Sequence, residues 1–392
     1  MARRTPRRRA TAVAATDSYA GGDGRLSPLS TPSATRAVLE AHGIGTKYTL
    51  GQNFLVNDDV LKKIIALAEV GENDRVLEVG PGIGTLTIAL LKHAASVIAI
   101  ERDPDLPAVL ADTLHPWREK FALIEKDALD VTRDDIVAAM VEIGGDTGYP
   151  DRASSAANET AQWAVSQSED CLSESGYPVA PPQEDLQLSL PSKLVANLPY
   201  AVAATVVLDY FESFPFLDSA TIMVQKEVAD RMAAAVGTKN YGAYTVKLGL
   251  YAEPVGRFAV GPGNFFPPPR VDSAVIRLNR RVPLMADGAP ASPEVIAAAA
   301  LMADAAFTNR RKTIANSCKT YFSGRGPILL GVADSSAAEG APTIALPDGA
   351  ATAERLPAIF EAAAIDPRRR GETLTQQEFL ALGAALLRVT AA

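Results

Sequence analysis

The sequence predicts an α/β protein: a mostly parallel sheet wrapped by helices, followed by a small all-helical C-terminal domain. Three observations predict it. Between Arg75 and Glu142 short apolar runs alternate with helical stretches, the pattern of a parallel sheet with right-handed crossovers. The first run, Val76 to Val79, passes directly into Gly80-Pro81-Gly82-Ile83-Gly84, so a strand enters a helix through glycines at alternate positions. From Ser292 onward strand patterns stop and the chain becomes Ala-rich and helical.

The elements follow in order. Residues 1–34 are expected to be a disordered basic extension, because Arg3, Arg4, Arg7, Arg8 and Arg9 precede small and polar residues. Without an apolar run it is no secretory signal; it fits a mitochondrial transit peptide or an arm that touches phosphates. The α/β domain is placed at 35–285. It opens with a helix at 34–42 and a polar turn, Gln52-Asn53, beside Phe54 and Leu55. Asn57 or Asp58 then caps a helix whose apolar face holds Val60, Leu61, Ile64, Ile65 and Ala68. Strands at 75–79, 97–100 and 121–125 alternate with helices at 85–94, 104–114 and 133–142. Residues 144–191 are an acidic low-complexity insertion without periodicity. A strand at 193–196 ends in Asn197-Leu198-Pro199-Tyr200. A helix at 202–212, a strand at 220–224, a helix reaching about Tyr251, a rigid aromatic loop from Gly261 to Arg270 and a last strand at 272–278 complete the domain. The helical domain, 290–392, is interrupted by a surface insertion at about 323–350. Its last helix opens on a capping box, Thr375 with Glu378.

Length and composition set limits. A chain of 392 residues, 47% hydrophobic, has ample core for one large or two ordinary domains. No apolar run approaches the ~20 residues that span a bilayer. Two cysteines, Cys171 and Cys318, make no disulfide framework and point to a reducing compartment. His42, His93 and His115 have no metal-ligand spacing, so no metal is expected. The net charge of −8 is matched by residues 142–192 alone, which hold nine acids and one base. Residues 225–281 hold nine bases against four acids, and Arg310, Arg311, Lys312 and Lys319 follow without an acid. Positive charge in the second half offers a docking surface for a polyanion.

The candidate site collects at one sheet edge. Ligands of such sheets sit outside the carboxyl ends of strands, where Gly80, Glu101 and Asp127 fall. The open N–H groups of a helix start suit a polar or anionic group. Glu101 can accept hydrogen bonds from both hydroxyls of a ribose, and Asp127 from the exocyclic amine of an adenine. These parts describe a pocket for an adenosine-containing cofactor. A dinucleotide fingerprint needs G-x-G-x-x-G. The G-x-G-x-G here, preceded by Glu78, resembles instead the first motif of S-adenosylmethionine-dependent methyltransferases.

The tetrapeptide 197–200 lies at the same edge. An adenine N6 lone pair is delocalised into its ring and is a poor nucleophile. The Asn197 side-chain oxygen and the Leu198 carbonyl can each accept one N6–H, turning the nitrogen toward a methyl sulfonium. Pro199 fixes the turn. Tyr200 can stack on an extruded base, with Phe265 closing its other face. No strong base is required, and positioning supplies most of the catalysis.

Five segments in this order make the resemblance plain: Gly51-Gln52-Asn53-Phe54-Leu55, Glu78 to Gly82, Asn197 to Tyr200, Phe266-Pro267-Pro268-Pro269-Arg270-Val271-Asp272-Ser273, and Arg310-Arg311-Lys312-Thr313. The chain resembles the ribosomal RNA adenine N6,N6-dimethyltransferases of the small-subunit, KsgA/RsmA type, from about Lys47 to Leu387 outside the two insertions. The resemblance implies a Rossmann-like class I methyltransferase domain. It implies S-adenosyl-L-methionine bound by Asn53, Leu55, Gly80, Glu101, Asp127 and Asn197, with Gln52 and Asn53 at the methionine end. Glu78, Gly82 and Ala128, beside those positions, are assigned to the same ligand. Tyr200, Phe265, Arg270, Arg310, Arg311 and Lys312 are assigned to the RNA. The implied reaction dimethylates two adjacent adenosines in a hairpin near the 3′ end of small-subunit (16S) rRNA. The implied partner is the pre-30S particle, met by a monomer in the cytoplasm, or in a mitochondrion if the Arg-rich N-terminus is a transit peptide. The rivals are an Erm-type methyltransferase of large-subunit rRNA, a ribosome-assembly or transcription factor that keeps the fold without needing catalysis, and a DNA adenine methyltransferase.

Overall fold

The structure, a computed structural model, describes residues 24–45, 52–143, 190–331 and 343–391. The Arg-rich residues 1–23, Gly51 and nearly all of the expected 144–191 insertion lie outside them. The chain begins with helix α1 (Pro32–Ala41), the two-residue strand β1 (Phe54–Leu55) and helix α2 (Asp58–Ala68). Asn57 caps α2, its side chain accepting from the Asp59 and Val60 amides.

The sheet then builds as expected. Strands β2 (Arg75–Val79), β3 (Ser96–Ile100) and β4 (Phe121–Ile124) alternate with helices α3 (Thr85–Leu91), α4 (Pro107–Thr113) and α5 (Arg133–Glu142). Strand β5 (Lys193–Asn197), helix α6 (Ala203–Ser213), strand β6 (Ser219–Gln225) and helices α7 (Lys226–Met232) and α8 (Ala243–Gly249) follow. Strands β7 (Ala252–Val260), β8 (Phe265–Phe266) and β9 (Ser273–Arg280) end the domain. The seven-stranded order is β4-β3-β2-β5-β6-β9-β7. Five strands run parallel, while β9 pairs antiparallel with both β6 and β7. Strand β3 is buried throughout, as a strand covered on both faces must be. The chain winds from β2 toward β4, then returns to place β5 on the other side of β2. The crevice at such a reversal, at the carboxyl ends of β2 and β5, is where ligands bind.

Three expectations are corrected. Residues 24–34, assigned to a disordered extension, are structured. Leu29 is buried in the core, and the Asp58 carboxylate accepts from the Leu26 and Ser27 amides at 2.8 and 3.2 Å. Strand β7 was not anticipated. Pro254 and Gly256 argue against a strand, yet β7 is an edge strand with a bulge between them, where a missing N–H costs no ladder bond. The segment 323–350 is not simply an insertion. Strands β10 (Ile328–Gly331) and β11 (Thr343–Leu346) pair as a hairpin that buries Leu330 and Leu346.

The C-terminal region is helical, with α9 (Pro293–Phe307), α10 (Ile314–Ser323), α11 (Gly349–Ala362) and α12 (Gln376–Ala391). Gly383 lets α12 close on α9: a Cβ there would stand 2.6 Å from the Val295 carbonyl oxygen. The expected capping box forms, with the Thr375 amide donating to Glu378 at 2.8 Å and the Glu378 amide to the Thr375 hydroxyl at 3.2 Å. Lys247 pairs with Asp304 at 3.2 Å and Arg281 donates to Gln376 at 3.0 Å, tying the helices to the α/β domain. Among the described residues no helix is long and apolar enough to cross a membrane.

Candidate active site

A cavity of about 480 Å³ opens at the carboxyl ends of β2, β3 and β5, within the range of small-molecule sites. Gln52, Asn53, Leu55, Glu78, Gly80, Gly82, Glu101, Asp127, Ala128 and Asn197, all assigned to the cofactor, line it together with Leu198, Pro199 and Tyr200.

The glycine turn forms the floor. Gly80, Gly82 and Gly84 have φ of 71°, 60° and 88°, a region open to glycine and costly for other residues. At Gly82 a Cβ would also stand 3.0 Å from the Phe54 ring, so the turn and β1 are in direct contact. Glu78 sits beneath at 1% exposure, and its Oε2 has no hydrogen-bond partner. Burial pushes its carboxyl up to about 8, and the nearby Glu101 carboxylate adds to the effect.

Glu101, 9% exposed, is fixed by the chain that follows it. Its Oε1 accepts from the Arg102 and Asp103 amides, each at 2.9 Å. Burial raises its pKa, and the amides of Asp103, Arg102 and Gly82 oppose that rise. The Gln52 side-chain amide donates to Asp103 at 2.7 Å, which draws the 52–55 turn over Glu101. Asp127 is held by the Leu129 amide at 3.2 Å and by Arg102 at 2.7 Å, and both contacts lower its pKa. The Glu101 and Asp127 carboxylates are thus joined through Arg102, whose amide donates to the first and whose guanidinium donates to the second.

At the other end, the Asn197 side-chain N–H donates to the Asn53 carbonyl at 3.1 Å. A carbonyl only accepts, so this bond assigns the amide and leaves the Asn197 Oδ1 as an acceptor. Leu198 donates its own N–H to Met223 at 3.1 Å, and its carbonyl accepts no hydrogen bond among the described residues. The Tyr200 hydroxyl meets the Ser273 hydroxyl at 2.6 Å. The ring is half-buried, which raises the phenol pKa.

Phe265 is corrected. It is 3% exposed, pairs with Leu55 across β1 and β8, and does not line the cavity. Its role is to hold β1 against the aromatic loop, which the Asn57 amide reinforces by donating to Asn264 at 2.8 Å. Its neighbour Phe266 is partly exposed, with the Arg36 guanidinium 5.3 Å above its ring. Arg270 is exposed on the loop leading to Ser273. Arg310 is half-engaged in structure, pairing with Glu372 at 2.8 Å and donating to the Thr238 carbonyl at 2.8 Å. Arg311 and Lys312 are exposed and form no ion pair among the described residues. Sequence reasoning missed Asp103, Ser273 and Gln225, the last of which lines the cavity beside Tyr200. Each is an ordinary polar residue at an element's end, and only its distant partners give it a role.

Residues 45–341 match the family described as ribosomal RNA adenine dimethylase. A Geobacillus sp. (strain WCH70) protein named Ribosomal RNA small subunit methyltransferase A is 32% identical over 361 residues, covering 92% of this chain and 98% of its own. A protein of the same name from Enterococcus faecalis is 33% identical over 362 residues, covering 91% of this chain and 96% of its own. A dimethyladenosine transferase structure from Plasmodium falciparum superposes with a TM-score of 0.52 at 20% identity, covering 84% of this chain and 95% of that one, a likeness of fold.

Proposed function

The chain belongs to the ribosomal RNA adenine dimethylase family and is an rRNA adenine N6,N6-dimethyltransferase, and from that premise we propose how its cavity works. The residues present fit S-adenosyl-L-methionine. Glu78 Oε2, buried without a partner, suits a cationic or hydrogen-bonding ligand group, and the turn at Gly82 has no room for a side chain. When bound, S-adenosyl-L-methionine supplies a methyl group already activated on a cationic sulfur. Glu101 holds the ribose hydroxyls, Asp127 and Ala128 the adenine, and Gln52 and Asn53 the methionine end. The target base is a second adenine, extruded from RNA and stacked on Tyr200. The Asn197 Oδ1 and the Leu198 carbonyl accept its two N6–H groups and turn the nitrogen lone pair toward the donor. Ser273 fixes the tilt of the Tyr200 ring. After the first transfer one N–H remains, so either acceptor suffices for the second.

The carrying observation is the Asn197–Asn53 bond, which leaves an acceptor at the adenine-facing end of the cavity. We read the substrate as two adjacent adenosines in a hairpin near the 3′ end of small-subunit rRNA, met in the pre-30S particle in the cytoplasm. Relatives named for the small subunit favour this over a large-subunit, Erm-type target, and the complete cavity favours it over a catalytically silent assembly factor. The exposed Arg311, Lys312 and Arg270 supply phosphate contacts, which position RNA without reading its sequence. Primer extension on small-subunit rRNA tests the reading. Cells with the protein should show a block at two adjacent adenosines near the 3′ end, and cells lacking it should read through. A block that persists without the protein contradicts the reading.

A further inference from the structure

We infer that Gln225 is a specificity-determining residue: its side-chain N–H donates to a ring nitrogen flanking the target amine, N1 or N7 of the extruded adenine. The inference deepens the reading above and rests on it. Gln225 ends β6 and lines the cavity beside Tyr200, Ala201 and Val202. It directly precedes α7, yet its side chain does not cap that helix and makes no hydrogen bond among the described residues. The backbone fixes the direction of the side chain. Gln225 and Ser273 are opposed Cα partners across the antiparallel β6–β9 pair, and opposed residues project from the same face of a sheet. The Ser273 hydroxyl on that face reaches the Tyr200 hydroxyl at 2.6 Å, so Gln225 projects toward Tyr200. The strand end itself is pinned by the Lys226 amide, which donates to the Asp272 carbonyl at 2.9 Å.

The chemistry of adenine assigns the remaining role. The Asn197 Oδ1 and the Leu198 carbonyl are both taken by the two N6–H groups, and the Asn197 Nδ2 is turned to the Asn53 carbonyl. N1 and N7, on either side of the amine, are acceptors and need a donor. Pro199 has no N–H, and the Tyr200 hydroxyl is engaged with Ser273. Gln225 carries a neutral N–H donor, uncommitted, on the same wall. A carboxamide that pairs with adenine beside its amine is also a recurrent recognition mode.

The experiment measures kcat/KM for the first methyl transfer to small-subunit RNA hairpins carrying adenosine, 1-deaza-adenosine or 7-deaza-adenosine at the target positions. Wild type should lose about tenfold on one of the two analogues, the worth of one hydrogen bond. Gln225→Leu should lose about tenfold on the adenosine hairpin and nothing further on that same analogue, with its affinity for S-adenosyl-L-methionine unchanged. Gln225→Glu, isosteric but without the amide donor, should repeat this pattern and serves if the leucine variant does not fold. Wild-type kcat/KM in the variants, or the same discrimination against both analogues as wild type, overturns the inference while leaving adenine methylation standing. A wild-type enzyme inactive on the adenosine hairpin overturns the underlying reading as well.

Discussion

At the glycine end of the cavity one short stretch, Glu78 to Gly84, supplies a buried carboxylate and three residues at positive φ. At the acceptor end nothing is local. Asn197 is oriented by a carbonyl 144 positions away, and Tyr200 is held by a hydroxyl 73 positions away. The first end is set by backbone conformation, which neighbouring residues dictate. The second is set by contacts that form only when the end of β5 meets the turn before β1 and the start of β9. Damage at the glycine end should therefore show as lost cofactor affinity. Removal of the Asn197 acceptor should slow the chemistry more than it weakens RNA binding.

The largest effect is expected at Asn197. Asn197→Ala releases the Asn53 carbonyl and removes the acceptor proposed to face the reacting amine. Turnover should fall about a hundredfold, the scale of a misplaced reactant, with RNA affinity nearly unchanged. Equal losses in turnover and RNA affinity would erase the distinction between the two ends. Glu101→Ala should show the opposite profile. Loss of the carboxylate proposed to hold the ribose hydroxyls should weaken S-adenosyl-L-methionine by about 1.5–3 kcal/mol in calorimetry, and RNA binding should be intact.

Glu78 sharpens the comparison through pH. Its carboxyl, pushed up to about 8 by burial, is uncharged at neutral pH in the ligand-free protein. A cationic ligand beside it favours ionisation, so binding at pH 7 should release a proton. Titrations in buffers of different ionisation enthalpy measure that release, and Glu78→Gln should abolish this share of it. The sign for stability is fixed. The folded state retains a proton that the unfolded chain gives up near 4.5, so stability of the ligand-free protein should fall as pH rises from about 4.5 to about 8. The glutamine variant should flatten that slope.

The smallest effect is expected outside the cavity. Arg311→Ala with Lys312→Ala should lower the salt dependence of RNA binding by roughly one unit of slope per phosphate contact and leave the cofactor site alone. Arg310 is a different case, because its pair with Glu372 joins structural elements. Its replacement should cost stability first, which thermal unfolding separates from RNA affinity.

The same contrast explains what could be read from the sequence. The parallel strands and the glycine turn were legible because each is a run of residues with a local pattern, and strand order then brings Glu101, Asp127 and Asn197 to one cavity at the same sheet edge. Phe265 was misread because two adjacent aromatics, Phe265 and Phe266, alternate between faces of β8, and composition does not say which one is covered. Pairing of Leu55 with Phe265 decides it. Strand β7 was missed because Pro254 and Gly256 read as a turn, and only its place at the sheet edge makes them acceptable. Leu29 stands among polar residues, and Leu330 ends a short apolar run, Ile328-Leu329-Leu330, with no period to say which side is covered. The Asp58 carboxylate and the β10–β11 hairpin turn them inward. Gln225 carried no signal, and Ser273 only closed the 266–273 segment without a role of its own, since a polar residue at a strand end is unremarkable until its partner is known.

If the acceptors proposed at Asn197 and Leu198 still hold the amine after the first transfer, this cavity places two methyl groups on one adenine nitrogen. Mass spectrometry of nuclease-digested small-subunit RNA, incubated with the purified protein and S-adenosyl-L-methionine, tests it most directly. The expected end product is N6,N6-dimethyladenosine, with the monomethyl form appearing early and being consumed. Accumulation of monomethyladenosine alone, or of no methylated adenosine, would contradict it.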